Sequence, residues 1–96
     1  MNTDYKRKIL EKTIAVCGNG GWLQLTRDKA AEVAGVSTAT INYHFDSSAG
    51  LLAALMQHAV ETENLDVIAQ GMVARKLPAN VGVKLKRRAL AWMGAL

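Results

Sequence analysis

The chain has 96 residues and a mass of 10.4 kDa, enough for one small folding unit and too little for most multi-step enzymes. Half of the residues are hydrophobic and 21% are charged, which is typical of a folded globular chain and not of a disordered one. The net charge of +4 favours an anionic partner, and an enzyme is the weakest functional hypothesis.

The cysteine and histidine content predicts a protein without a bound metal or other cofactor. Cys17 is the one cysteine, so an internal disulfide is excluded, and neither it nor His44 or His58 has the spacing of a zinc site. A lone thiol and the lack of a signal-peptide core indicate a cytoplasmic protein. No run of 18 apolar residues is present, so we expect no membrane-spanning helix.

Apolar residues recur at helical spacing along the chain, and the alternation typical of strands is absent. The sequence therefore predicts an all-α fold, in which a three-helix head is followed by two or three C-terminal helices. We expect the head at residues 1–64 and a short helical extension at residues 65–96. The expected helices cover about 3–17, 27–34, 38–44, 48–63, 66–76 and 81–95.

The segment from Thr26 to Phe45 predicts two short helices joined by a tight turn. Gly35 accepts the left-handed conformation that reverses the chain, and Val36 is expected to hold the turn against the core. Thr26 is a suitable N-cap for the first of the two helices, and Ser37 is one for the second. A short capped helix with a polar outer face fits the major groove of DNA, which is about 12 Å wide.

Several short motifs surround this turn at characteristic intervals. They are Ile9-Leu10, Gly20-Gly21, Leu25-Thr26, Ala30-Ala31, Ala34-Gly35-Val36-Ser37, Thr40-Ile41, Tyr43-His44-Phe45 and Leu51-Leu52. With these motifs, residues 9–55 resemble the N-terminal DNA-binding domain of TetR-type transcriptional regulators. The resemblance implies a homeodomain-like helix-turn-helix head whose third helix reads the major groove of double-stranded DNA.

The resemblance also implies which residues contact DNA. The third helix offers base or phosphate contacts through Thr38, Ala39, Thr40, Asn42, Tyr43 and His44. Thr26 and Arg27 open the second helix and are candidates for contacts with the DNA backbone. Lys6 and Lys8 in the first helix, and Ser48 at the start of the fourth, are possible phosphate contacts.

Two positions depart from the family pattern, and so does the length. Asn42 stands where a tyrosine is usual and Ser48 where a lysine is usual, although Asn42 can hydrogen-bond a phosphate or an adenine edge. About 40 residues follow the resemblance, too few for the family's ligand-binding domain, so we expect no small-molecule effector. An apolar seam in the last helix, expected to join two copies as a homodimer, consists of Leu85, Ala89, Trp92 and Leu96.

Charge is distributed unevenly along the chain. Residues 1–48 carry six basic and five acidic side chains, residues 49–74 carry three acidic ones, and residues 75–96 carry six basic and no acidic ones. The basic segment 75–88 has two interpretations, which are nonspecific contacts with DNA phosphates or contact with an acidic partner.

Three functional hypotheses follow from these patterns. The first is a sequence-specific transcriptional regulator, most simply a repressor, that binds a palindromic operator as a homodimer. The second is a DNA-recognition component of a larger assembly, such as a phage small packaging subunit or a replication or partition accessory. The third is a protein-interaction module whose helix-turn-helix no longer reads DNA, which Ser48 and the near-neutral head favour.

Overall fold

The computed structural model describes residues 2–94, with side chains from residue 4 onward. Six helices and no strand occur within that range, which confirms the predicted all-α fold. The helices are α1 (Asn2–Ile14), α2 (Arg27–Ala34), α3 (Thr38–Phe45), α4 (Ser48–Glu61), α5 (Leu65–Ala74) and α6 (Val83–Trp92). None of these helices is long and apolar enough to cross a membrane.

Side-chain caps fix the starts of four helices. The hydroxyls of Thr26 and Ser37 each accept a hydrogen bond of 3.1 Å from an amide in the first turn of the helix that follows. Ser47 and Asn64 cap α4 and α5 in the same manner. The structure thus confirms the predicted caps Thr26 and Ser37, and the start of the helix-turn-helix is set by local hydrogen bonds.

Several helix boundaries differ from the prediction by two or three residues, and the last three helices end earlier than expected, namely α4 at Glu61, α5 at Ala74 and α6 at Trp92. α1 ends at Ile14 instead of about residue 17, because the chain continues there into tight turns that lead through the glycine-rich segment 18–21. Cys17 is nevertheless fully buried. α6 begins at Val83 instead of about residue 81, since Val81 is buried before the helix and Gly82 takes the extended N-cap conformation.

One hydrophobic core joins the head to the extension. Trp22 is only 1% exposed, and its indole N–H donates a hydrogen bond of 3.0 Å to the carbonyl of Leu52. Along the chain, α4 packs against α1 and α3, α5 packs against α4, and α6 packs against α5. The largest fully buried side chains are Trp22, Ile41, Leu51, Leu55, Met56 and Ile68.

Gln70 on α5 fastens the extension to the head. Its Oε1 accepts from the amide of Trp22 at 2.9 Å, and its Nε2 donates to the carbonyl of Cys17 at 2.6 Å. The carboxylate of Asp66 accepts a second hydrogen bond from Nε2 and one from the amide of Asn19. The irregular segment between α1 and α2 is therefore held in place by side chains of α5.

Gly50 permits the close approach of α3 and α4. A Cβ at this position would overlap the carbonyl oxygen of Phe45, a backbone atom that no side-chain rotation can remove. The absence of a side chain at Gly50 therefore fixes the position of the end of α3 against the first turn of α4.

Candidate DNA-binding surface

The turn between α2 and α3 sets the geometry of the helix-turn-helix. Gly35 has φ 73° and ψ 33°, the left-handed conformation that the sequence predicts. The amide of Val36 donates to the carbonyl of Ala31 at 3.0 Å and closes the end of α2. Because Ser37 immediately caps α3, the two helices are joined without a flexible linker.

α3 has one buried face and one outward face. Ile41 and Phe45 lie in the core, as their spacing of four residues predicts. Tyr43 projects outward and is 78% exposed. Of the predicted contact residues on α3, Ala39, Asn42 and Tyr43 are exposed, whereas Thr38, Thr40 and His44 are half-buried.

A cleft lies where the starts of α2, α3 and α4 converge. It is lined by Thr26, Arg27, Asp28, Thr38, Asn42 and Ser48. All of these except Asp28 are residues for which the sequence predicts a DNA contact. The fold therefore brings the three predicted contact regions, the starts of two helices and the recognition helix, to one surface.

The polar side chains across this cleft are paired with each other. Nη1 of Arg27 donates to Oδ1 of Asn42 at 2.7 Å, and Oγ1 of Thr38 donates to Oδ1 of Asp28 at 2.9 Å. Each pair joins the first turn of α2 to α3. Asp28 was not predicted as a site residue. Its position next to Arg27, in the first turn of α2, is the feature of the sequence that could have indicated it.

The end of α3 packs against the start of α1. The ring of His44 lies 5.4 Å from that of Tyr5 and 5.1 Å from that of Tyr43, the latter edge-on. Nζ of Lys6 lies 5.3 Å from the centre of the Phe45 ring. Lys6 is therefore beside the recognition helix, and Tyr5 joins the surface without having been predicted.

The other predicted residues lie away from the cleft. Lys8 is exposed on α1. In the predicted dimer seam, Ala89 is fully buried within the chain and Leu85 packs against the same core, whereas Trp92 is 60% exposed. Leu96 lies outside the described residues. The chain thus uses the first half of the seam for its own core.

Cys17 and the acidic side chains add no reactive group to the cleft. Burial raises the pKa of the Cys17 thiol from 9.0 to about 11, because the thiolate would lose its hydration. Within residues 4–94, no group of three or more His, Cys, Asp or Glu side chains is close enough to hold a metal ion. The cleft therefore offers hydrogen-bonding groups, one cationic side chain, Arg27, and one acidic side chain, Asp28.

Comparison with known proteins identifies the family of the head. Residues 9–55 match the family model described as "Bacterial regulatory proteins, tetR family". No curated protein and no solved structure matches the chain. The matched segment contains the capped helix-turn-helix, the cleft and the first turns of α4, which is the DNA-binding unit of transcription regulators. Residues 9–55 therefore form a helix-turn-helix head of the type found in the tetR family of bacterial regulatory proteins.

Proposed function

We propose that this chain is a cytoplasmic, sequence-specific regulator that binds a palindromic operator as a homodimer and represses transcription. The observation that carries this proposal is the outward face of α3, where uncharged polar and apolar side chains stand exposed on a rigidly capped helix. Hydrogen bonds and methyl contacts to base edges determine which DNA sequence is bound, whereas positive charge alone binds a duplex of any sequence.

Base reading falls mainly to the exposed side chains of α3. The amide of Asn42 can donate to and accept from an adenine edge at once, and Ala39 can contact a thymine methyl group. Arg27 is hydrogen-bonded to Asn42 and orients its amide. We therefore expect Asn42 to discriminate between bases. Arg27 is expected to contribute to that discrimination by holding the Asn42 amide in one orientation.

Phosphate contacts surround the base-reading residues. Thr26 and Ser48 lie at the cleft, and Lys6 lies at the end of α3. Tyr43 and His44 form an aromatic pair at the same end. Lys8, Thr38 and Thr40 complete the proposed contacts. Loss of any phosphate contact weakens binding to all sequences by a similar factor.

Exposed apolar side chains support association of two copies. Val73 is 74% exposed and Trp92 is 60% exposed, and together with Leu23 and Met93 they border one open groove. Large apolar groups concentrated on one surface favour a protein interface. We propose that dimerisation covers this groove, and that no small-molecule inducer acts on the chain.

The proposal is tested by selecting bound sequences from a random duplex pool at about 150 mM salt, a concentration at which nonspecific phosphate binding is weak. A palindromic motif is expected, with half-sites about one helical turn, or a small multiple, apart. Asn42→Ala should relax the preference at one position of each half-site and cost about 1–3 kcal/mol there. Thr62→Ala, at the far end of α4, is the control and should retain the full preference.

Three outcomes would contradict this proposal or replace it. A pool without any enriched sequence would contradict a regulator that reads an operator. A mass of six or more chains by light scattering would favour a DNA-recognition component of a larger assembly. Unchanged DNA binding after Thr38→Ala and Asn42→Ala together would favour a protein-interaction module, for which the internal pairing of both side chains is the supporting observation.

A further inference from the structure

The basic side chains of the extension are exposed and mostly unpaired with acids. Six Lys and Arg residues lie between positions 75 and 88, and no Asp or Glu lies between positions 75 and 96. Arg88 forms an ion pair of 2.7 Å with Glu63. Among the described residues, that is the one salt bridge of the extension's cations. Five positive charges therefore remain available to an anionic partner.

Lys76 lies against α4 of the head. It lines a second cleft together with Trp22 and with Ala49, Leu52 and Ala53 of α4. Ala49 directly follows Ser48, which lines the cleft shared with Thr26 and Arg27. Both clefts therefore include a residue of the first turn of α4, the helix whose start belongs to the candidate DNA-binding surface.

The end of α5 fixes the backbone at Lys76. The amide of Lys76 donates to the carbonyl of Gly71 at 2.8 Å, and that of Arg75 donates to the carbonyl of Met72 at 3.1 Å. This pattern closes the helix with Arg75 in the left-handed region, at φ 58° and ψ 43°. Glycine occupies such a position without strain, so the chain carries an arginine here at a cost in stability.

Arg75 extends the basic surface towards α6. Arg75 and Lys86 line one further cleft, together with Gly71, Met72 and Leu77, and no acidic side chain borders it. We call Lys76, Arg75 and Lys86 the basic track. The track begins at Lys76, against α4, and includes Arg75 and Lys86 of the extension.

We propose that the basic track is a second, sequence-independent contact surface that continues the head's interface along the phosphate backbone of the DNA. Exposed cations without acidic neighbours, one of them against the helix whose start borders the candidate DNA-binding cleft, suit the repeated phosphates of a duplex. This inference rests on the proposed function only in taking DNA as the partner, and it does not require a preferred sequence. An acidic protein is the alternative occupant, which the experiment below separates.

The first test measures how binding to a random-sequence duplex depends on salt. Each phosphate contact contributes about 0.9 to the slope of log K against log salt concentration for duplex DNA. Lys76→Gln should lower the magnitude of this slope by about 0.9, and Lys76→Arg should retain it. Lys84→Gln removes the same charge from the same extension, away from the three clefts, and should leave the slope unchanged.

Arg75→Gly separates binding from folding. The substitution relieves the left-handed strain, so the urea midpoint should be at or above that of the wild type, whereas the salt slope should fall. A weaker interaction in a protein that is no less stable cannot come from partial unfolding. A slope that remains at the wild-type value in this variant would contradict the track.

Two results would overturn the proposal. If the magnitude of the salt slope falls equally in the Lys76→Gln and Lys84→Gln variants, the charge of the extension acts as a diffuse positive field and not through the basic track. An unchanged slope in Lys76→Gln would exclude Lys76 from the DNA contact and would leave an acidic protein as the occupant. Failure to find a preferred operator would contradict the proposed regulator alone, since these slopes are measured on a duplex of random sequence.

Discussion

The head and the extension use positive charge in different ways. In the head, Arg27 is hydrogen-bonded to Asn42, and Lys29 is paired with Glu32 at 3.3 Å. In the extension, Arg75, Lys76 and Lys86 border clefts without an acidic partner. The comparison shows that the region with the helix-turn-helix is nearly neutral, and that unpaired positive charge is concentrated elsewhere in the chain.

The two regions nevertheless form one folding unit. Trp22 of the head and Gln70 of the extension are in direct contact through a hydrogen bond, and both belong to the packing around α4 and α5. The comparison therefore concerns surfaces, and we expect the cores of the two regions to unfold together. The following predictions test that distinction.

Replacing Trp22 should have the largest effect on stability. Trp22→Ala removes a side chain that is 1% exposed and is expected to cost about 3–5 kcal/mol of the unfolding free energy, through lost burial and the cavity left behind. The measurement is urea unfolding followed by circular dichroism. Leu23→Ala, at an exposed neighbour, is the control and should cost far less. Two separate transitions would contradict a single core.

Gly50→Ala should affect the head more than the extension. Its Cβ would meet the carbonyl of Phe45, so α3 and α4 must separate, at an expected cost of about 1–3 kcal/mol. Gly82→Ala, where no atom lies within 4 Å of the added Cβ, is the matched control and should be nearly neutral. Both unfolding midpoints and affinities for a duplex should be measured. Equal effects of the two substitutions would show that stability and DNA affinity do not depend on the close approach of α3 and α4.

Gln70→Ala should loosen the joint between the two regions. The change leaves the Trp22 amide and the Cys17 carbonyl without their side-chain partner, which is expected to cost about 1–3 kcal/mol. Hydrogen exchange should then increase first in the segment 18–24. Gln57→Ala, whose hydrogen bond to Glu61 is exposed, should change little. Unaltered hydrogen exchange in the segment 18–24 would contradict the conclusion that Gln70 holds this segment in place.

Cys17 should react with a thiol reagent only when the core opens. Burial raises the pKa of its thiol to about 11, so folding favours the protonated form. This contribution to stability is complete below pH 9.0 and is lost as the pH rises towards about 11. Labelling should be slow at neutral pH and accelerate in urea in step with unfolding. Rapid labelling of the folded protein would show that the segment after α1 opens independently.

Local signals in the sequence were sufficient to predict the helices and the turn between α2 and α3. Thr26, Gly35 and Ser37 each determine a turn or a cap through bonds to near neighbours, and the structure confirms all three. The contacts made by Gln70 and Lys76 were not predicted, because they join residues separated by many positions. Pairing of that kind depends on how α5 returns along α4, which no local pattern specifies.

The dimer seam shows a second limit of prediction from periodicity. Leu85 and Ala89 repeat at helical spacing, and that pattern is the same whether a helix packs within its own chain or against another copy. Ala89 proves to be fully buried inside the chain, and Trp92 is left exposed. A hydrophobic stripe thus marks an apolar face without showing which of its residues the chain itself buries.

The hydrogen bond between Arg27 and Asn42 prepares the Asn42 amide before any DNA is bound. Arg27 donates to Oδ1 of Asn42 at 2.7 Å, which leaves the second lone pair of that oxygen and both Nδ2 protons available to a base edge. An amide whose orientation is already fixed loses little rotational freedom when a suitable base binds. A base that requires the opposite orientation must first break the bond, so discrimination would originate in a constraint of the free protein.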